Sequence, residues 1–236
     1  MPLRSFIAGA LLFLAATAAL GVTPPVVSDG ELPTGSTSRP LAPDYRIHAD
    51  GSVTQRICYN WSCASRQRLT FTRADMTEVE RQMAQCPGNG WHTRVQRLRI
   101  GIWQMELLAQ KYQPLLANDA AINLDDGDRA GRMDCVDNAS NTTSYLQVLG
   151  NLGLLPEWSV GAQQVRDRFS FQVHWTAVVV DRGGAGAWSV DSWFRPNGYL
   201  PYVMPAADWN SGRIAWEPPF AALNSSPRFS SQLCGA

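Results

Sequence analysis

The chain has 236 residues, of which 45% are hydrophobic and nine are tryptophan, so its length and composition suit one globular domain with a substantial core. Twenty basic residues balance twenty acidic ones, and the formal net charge is zero. Because no basic block is present, the sequence gives no indication of binding to nucleic acid or to an anionic membrane surface. All basic residues except Lys111 are arginine, a bias typical of GC-rich bacterial genomes.

An apolar segment opens the chain. Arg4 precedes an apolar run from Phe6 to Leu20, and Ala19 and Gly21 supply the small residues of a cleavage site. This order predicts a secretory signal peptide over 1–21, because the run is shorter than the about 20 residues that a membrane-spanning helix needs. An uncleaved membrane anchor is the alternative. We therefore expect a periplasmic or secreted protein that has no membrane association after cleavage.

A linker separates the apolar segment from the first predicted strands and helices. Residues 22–44 are rich in Pro, Ser, Thr and Gly and predict a flexible linker, which leaves 45–236 as the domain. The stretches SVTQRICYN and RQRLTFT predict two strands. A capping box of Thr72 and Asp75 predicts a helix to Gln85, and apolar spacings of three and four predict a long helix from Thr93 to Leu116.

The second half of the chain predicts a helix and then a hairpin. In the segment GRMDCVDNASNTTSYLQVLGNLGLL, Asp134 is placed to cap a helix that begins at Cys135. FSFQVHWTAVVVD and AWSVDSWF predict antiparallel strands joined by RGGAG, and a short helix is expected at Ala206–Asn210. Helices that precede an antiparallel sheet indicate an α+β fold.

The five cysteines fit an oxidising compartment but leave one unpaired. We expect disulfides between Cys58 and Cys63, across a tight turn, and between Cys86 and Cys234, at the C-terminus. The other pairings of these four cysteines stay open. Cys135 is then the free thiol, and the field at a helix N-terminus is expected to lower its pKa. The alternatives are a disulfide partner or a buried, inert thiol.

A catalytic thiol needs a base and a group that orients the base. His174 lies in the first strand of the hairpin, and Asp191 lies seventeen residues later in the second. Counted from a turn centre at Gly184, they are ten and seven residues away, so only a slipped or bulged register would place them side by side. Structural roles for His174 and Asp191 are the alternative.

Three segments resemble the bacterial transglutaminase-like cysteine proteinases of the papain-like clan. GRMDCVDNASNTTSYL is similar to their nucleophile helix with its Asp-Cys-x-Asp pattern, VHWTAVVV to the histidine strand and WSVDSWF to the aspartate strand. The resemblance covers under half of the expected mature chain. It implies a papain-like, transglutaminase-like fold with Cys135 as nucleophile, His174 as general base and acid, and Asp191 as the orienting residue.

On this resemblance we expect an exported amide hydrolase, a protease or amidase, that acts on a protein or peptide of the cell envelope. No cofactor and no metal is expected. A solvated loop is the preferred interpretation of LDDGDRAG, and calcium binding is its alternative. The backbone N–H of Cys135 and the side chain of Gln104 are the suggested oxyanion donors. The competing hypotheses are a non-catalytic envelope-binding module with Trp-rich surfaces and a degenerate enzyme of the same fold.

Overall fold

The protein is described by a computed structural model over residues 35–122, 124–168 and 172–234. The expected signal peptide, 1–21, and the first part of the expected linker lie outside the described residues. Within the described ranges the eight strands are β1 (Tyr45–Ile47), β2 (Val53–Tyr59), β3 (Ser65–Phe71), β4 (Trp158–Val160), β5 (Gln164–Arg168), β6 (Gln172–Asp181), β7 (Gly186–Asp191) and β8 (Tyr202–Pro205). The α-helices are α1 (Arg73–Met83), α2 (Trp91–Tyr112), α3 (Cys135–Asn151) and α4 (Ala206–Asn210).

The strands form two antiparallel sheets that confirm the α+β class. One sheet has the order β1-β2-β3; the other has the order β4-β6-β7-β8, with β5 also paired to β6. Helix α3 packs against β2 of the first sheet and against β6 of the second, and α2 packs on α3. The central helix therefore joins the two sheets through one core.

Helix α3 is buried on nearly all sides, although its sequence shows a single apolar face. The polar side chains of Asn138, Asn141 and Thr142 are each at most 4% exposed. Asn141 replaces a strand partner, because its side chain accepts the N–H of Cys58 and donates to the carbonyl of Cys58, both at 2.8 Å. These paired hydrogen bonds satisfy the buried amide and fix β2 beside the start of α3.

Helix α2 ends earlier than its apolar spacing suggested. The α-helix stops at Tyr112, and a 3₁₀ turn over Pro114–Asn118 follows. Gln113 has an extended backbone with φ −132° and ψ 87°, because a residue before proline is excluded from the helical region. The expected helix to Leu116 is therefore wrong by one turn, and the apolar stripe continues into the 3₁₀ turn.

Both expected disulfides are present, and Cys135 is the free cysteine. The Cys86–Cys234 bond fixes the C-terminal segment beside the end of α1, and the Cys58–Cys63 bond closes the loop between β2 and β3. Residues 35–44, expected to belong to the linker, follow the domain surface. There, the N–H groups of Thr37 and Leu41 donate to the Ser62 carbonyl and to Ser140 Oγ, at 2.7 and 2.9 Å.

Candidate active site

The N-terminus of α3 is built by two aspartates that hold its first turn. Asp134 Oδ1 accepts the N–H groups of Val136 and Asp137 at 3.0 Å, and Asp137 Oδ2 accepts the N–H of Asp134 at 3.1 Å. This reciprocal capping box occupies both carboxylates with backbone donors. Cys135 is the first helical residue, as its sequence predicted, and its side chain lines a cavity at the surface of the second sheet.

His174 and Asp191 meet across the β6–β7 hairpin, where His174 Nε2 lies 2.7 Å from Asp191 Oδ2. Ala177 pairs with Val190 and Asp181 with Gly186, so the centre of the hairpin falls between residues 183 and 184. Continued past Ala177, this register offsets His174 and Asp191 by two residues rather than three. Because side chains two residues apart share one face of a sheet, the pair needs no bulge or slip.

The Asp191 carboxylate is 3% exposed and accepts from three donors. Oδ2 accepts from His174 and from the indole N–H of Trp209 at 2.9 Å, and Oδ1 accepts from the backbone N–H of Trp193 at 3.2 Å. The imidazole is also enclosed by rings, with centroids of Trp193, Phe194 and Trp209 at 4.7, 5.0 and 5.5 Å. His174 is thereby fixed in one orientation.

The other nitrogen of His174 has no hydrogen-bond partner. Nδ1 is buried and unpartnered among the described residues. Since the Asp191 carboxylate accepts at Nε2, that nitrogen carries the proton, and Nδ1 of the neutral ring presents a lone pair. Cys135 Sγ lies against the backbone on both sides of this histidine, 3.8 Å from the Val173 carbonyl oxygen and within hydrogen-bonding reach of the Trp175 N–H. The structure therefore brings the three residues predicted as catalytic to one place.

The Cys135 thiol is neutral in this arrangement. Burial, together with the nearby carboxylates of Asp134 and Asp191, raises its pKa to about 12. The Trp175 N–H and the N–H of Cys135 itself act in the opposite direction but are outweighed. The expectation of a lowered pKa is wrong for this state, because the loss of hydration exceeds the effect of the helix N-terminus. A base must therefore remove the thiol proton.

A cavity of about 510 Å³ contains Cys135, His174 and Asp191 in its lining. Its volume falls in the range of small-molecule and peptide side-chain sites. Most of the remaining lining is aromatic or aliphatic, and it includes Trp61 from the β2–β3 loop. Gln104, suggested from the sequence as an oxyanion donor, is buried in α2 and is not among the cavity-lining residues.

Trp61 is a site residue that the sequence interpretation missed. Its indole nitrogen is buried and has no hydrogen-bond partner among the described residues. The loop that carries it has four consecutive non-glycine residues at positive φ, namely Asn60, Trp61, Ser62 and Cys63, with angles of 52° to 62°. The signal was the tryptophan between two cysteines in CYNWSC, which was interpreted only as a disulfide-closed turn.

The β2–β3 loop is fixed to the start of α3. Ser62 Oγ lies 3.0 Å from Asp134 Oδ2, and the N–H of Cys63 donates to Asp137 Oδ1 at 2.8 Å. Both aspartates of the capping box thus also hold this loop. Because left-handed backbone costs about 1–2 kcal/mol per non-glycine residue, these bonds and the disulfide stabilise a conformation the loop would not keep alone.

The residue types that could bind a metal ion form no suitable ligand set among the described residues. Within the described parts of the chain, the one close grouping of three ligand-type side chains is Cys58, Cys63 and Asp137. Its two sulfurs are joined in a disulfide and are not thiolate ligands. In the acidic loop, Asp126 forms an ion pair with Arg132 at 2.7 Å.

Comparisons of the chain with family models, curated proteins and solved structures give no match. Among the described residues, no helix has the length and apolar character needed to cross a membrane.

Proposed function

We propose that this protein is an exported, thiol-dependent amide hydrolase of papain-like, transglutaminase-like type, with Cys135, His174 and Asp191 as its catalytic residues. The observation that carries the proposal is the buried His174, bound to Asp191 through Nε2 and unpartnered at Nδ1, in a cavity that also contains the free thiol. A histidine held by a carboxylate on one nitrogen and open on the other is the arrangement that general-base catalysis requires.

The reaction begins with transfer of the thiol proton to His174 Nδ1. The thiolate attacks the amide carbonyl carbon and forms a tetrahedral oxyanion, while Asp191 stabilises the imidazolium. The C–N bond then breaks as Nδ1 returns the proton to the amine, which leaves a thioester on Cys135. Water, deprotonated by Nδ1, attacks the thioester, and the carboxylic acid product departs as the thiol is restored. Hydrolysis is preferred over cross-linking because water needs no second substrate site.

We assign two donors to the oxyanion. The first is the backbone N–H of Cys135, which the capping box leaves aside because Asp134 accepts from Val136 and Asp137. The second is the unpartnered indole N–H of Trp61, which we assign to this role because Trp61 lines the same cavity and its loop is bound through Ser62 to Asp134, the neighbour of Cys135. Donors that are already oriented and shielded from water stabilise developing charge more strongly than water does.

The expected place of action is the periplasm or the exterior, with a protein or peptide of the cell envelope as substrate. The two disulfides support this location, since such bonds persist in oxidising compartments.

The test uses the mature protein and a mixed peptide library, with cleavage followed by mass spectrometry. We expect peptide cleavage by the wild type, a thioester-linked peptide on Cys135 after acid quenching, and no cleavage by Cys135→Ser. Leu115→Ala, which truncates an exposed side chain outside the cavity, serves as the control and should cleave normally. Equal cleavage by wild type and Cys135→Ser would exclude the mechanism.

The raised thiol pKa favours one competing candidate, a non-catalytic binding module of the same fold. In that case Cys135 would react slowly with iodoacetamide at every pH below its pKa, and replacement of His174 by alanine would not change the rate. An active enzyme requires a Cys135 alkylation rate that falls in His174→Ala, because the base that removes the thiol proton has been lost.

A further inference from the structure

The cavity continues away from the thiol along a connected set of aromatic rings. From His174 the ring centroids step to Phe194 at 5.0 Å and on to Trp216 at 5.3 Å. Tyr202 then lies 5.2 Å from Trp216. The rings are tilted or edge-on to one another, which is the arrangement that aromatic side chains favour and against which a further ring can pack.

Apolar exposure is concentrated around this cavity. Among the described residues, eight large apolar side chains are exposed, and five of the eight line the cavity: Ile122, Leu124, Val173, Ile214 and Trp216. Trp216 is 42% exposed and Leu124 is 74% exposed. Single exposed apolar residues are ordinary, but their collection around one cavity is typical of a ligand-binding surface.

The charged groups of the lining do not favour a cationic ligand. Its two carboxylates are both engaged, Asp134 in capping α3 and Asp191 in holding His174. Arg166 lies 4.5 Å from the Trp209 ring centroid and donates to the Trp209 carbonyl at 2.9 Å. Arg213 is also in the lining and forms an ion pair with Asp208 Oδ1 at 3.0 Å. A lysine or arginine side chain would meet two guanidinium groups there and no carboxylate that lacks a partner.

We propose that this cavity binds a large aromatic side chain of the peptide, next to the amide that Cys135 attacks, and that it discriminates against small and cationic side chains. The inference rests on the proposed function for the position of the scissile amide. The occupant is a ring rather than an extended acyl chain, because the walls are aromatic rings that offer their faces and edges to another ring, and Trp216 among them is exposed.

The test measures binding without chemistry, in the mature Cys135→Ala protein. Four probes are titrated while the indole N–H signals are followed by NMR: N-acetyl-phenylalaninamide, N-acetyl-alaninamide, N-acetyl-argininamide and octanamide. We expect the phenylalanine probe to bind at least about tenfold more tightly than each of the others. In Trp216→Ala this preference should fall severalfold, and in Leu115→Ala, an exposed truncation outside the cavity, it should be unchanged.

Equal binding of the alanine and phenylalanine probes would overturn the inference, as would tighter binding of octanamide or of the arginine probe. The outcome of this binding test can be distinguished from the outcome of the test of the proposed function. Selective binding by Cys135→Ala with no cleavage by the wild type would support the aromatic site and contradict the hydrolase. Cleavage by the wild type with equal binding of the four probes would support the hydrolase and contradict the aromatic site.

Discussion

Trp209 donates its indole N–H to Asp191 Oδ2 at 2.9 Å, the same oxygen that accepts from His174. The donor comes from α4, a five-residue helix that follows β8, so a short C-terminal element determines how the carboxylate faces the imidazole. Trp209 is 1% exposed and its bond to Asp191 is shielded from water. We regard it as a positioning residue, because it acts on His174 through Asp191.

Trp209→Phe should keep a ring in the core and remove only this donor. With one fewer hydrogen bond, the Asp191 carboxylate is held less firmly beside His174, so the imidazole is less well oriented toward the thiol. We expect kcat/KM to fall by about tenfold, mainly through kcat. Trp188→Phe, which removes an indole bond to the Ala185 carbonyl, is the matched control and should leave kcat/KM unchanged.

Trp61→Phe tests the second oxyanion donor. Removal of one such donor is expected to lower kcat by about 10²-fold with little change in KM, because the bond forms only as charge develops on the carbonyl oxygen. The control is Trp158→Phe, since Trp158 also has a buried, unpartnered indole N–H but does not line the cavity. If both variants lose the same activity, the oxyanion role of Trp61 is wrong.

Removal of the two disulfides should have different effects, one on catalysis and the other on stability. Removal of the first, in Cys58→Ala with Cys63→Ala, should release the left-handed loop and displace Trp61, so we expect a loss of kcat of at least about tenfold. Removal of the second, in Cys86→Ala with Cys234→Ala, should lower the free energy of unfolding by about 2–5 kcal/mol and leave kcat nearly unchanged. The measurements are thermal unfolding and single-turnover cleavage on both double variants. The same kcat in the two would contradict a special role for the first disulfide.

Glu106 makes stability depend on pH. The side chain is buried in α2 and accepts the N–H of Gly198 at 2.8 Å, and burial raises its pKa from 4.5 to about 8. The folded state therefore keeps a proton that the unfolded chain releases, so this contribution to stability is complete below pH 4.5 and is lost as pH rises to about 8.

Glu106→Gln should remove that dependence, because the amide stays neutral and keeps an oxygen for Gly198. Urea unfolding at pH 5, 7 and 9 is expected to show the wild type losing up to about 1.4 kcal/mol per pH unit relative to the variant between these limits. Glu80→Gln, on the exposed side of α1, is the control and should follow the wild type. Parallel curves for wild type and Glu106→Gln would show that Glu106 is ionised in the folded state.

The sequence by itself determined the features that depend on neighbouring residues. The capping box at Asp134 and Asp137 places Cys135 at the start of a helix, because capping requires only a carboxylate three residues from its partner. The class of the fold also followed from the order of the elements. The expected disulfide pairing was one of three that the sequence allowed, and the fold selected it. The pairing of His174 with Asp191 was nearly determined, and only the centre of the hairpin was misplaced by half a residue.

The tertiary structure decided what depends on distant residues and on burial. Trp209 contacts Asp191 from another element, α4. Trp61 lines the cavity because its left-handed loop is held by hydrogen bonds to α3. No local sequence pattern encodes either contact. The direction of the shift in the Cys135 pKa was also decided by the tertiary structure. A helix start is visible in the sequence, but the burial that outweighs it arises only when α3 is enclosed between two sheets.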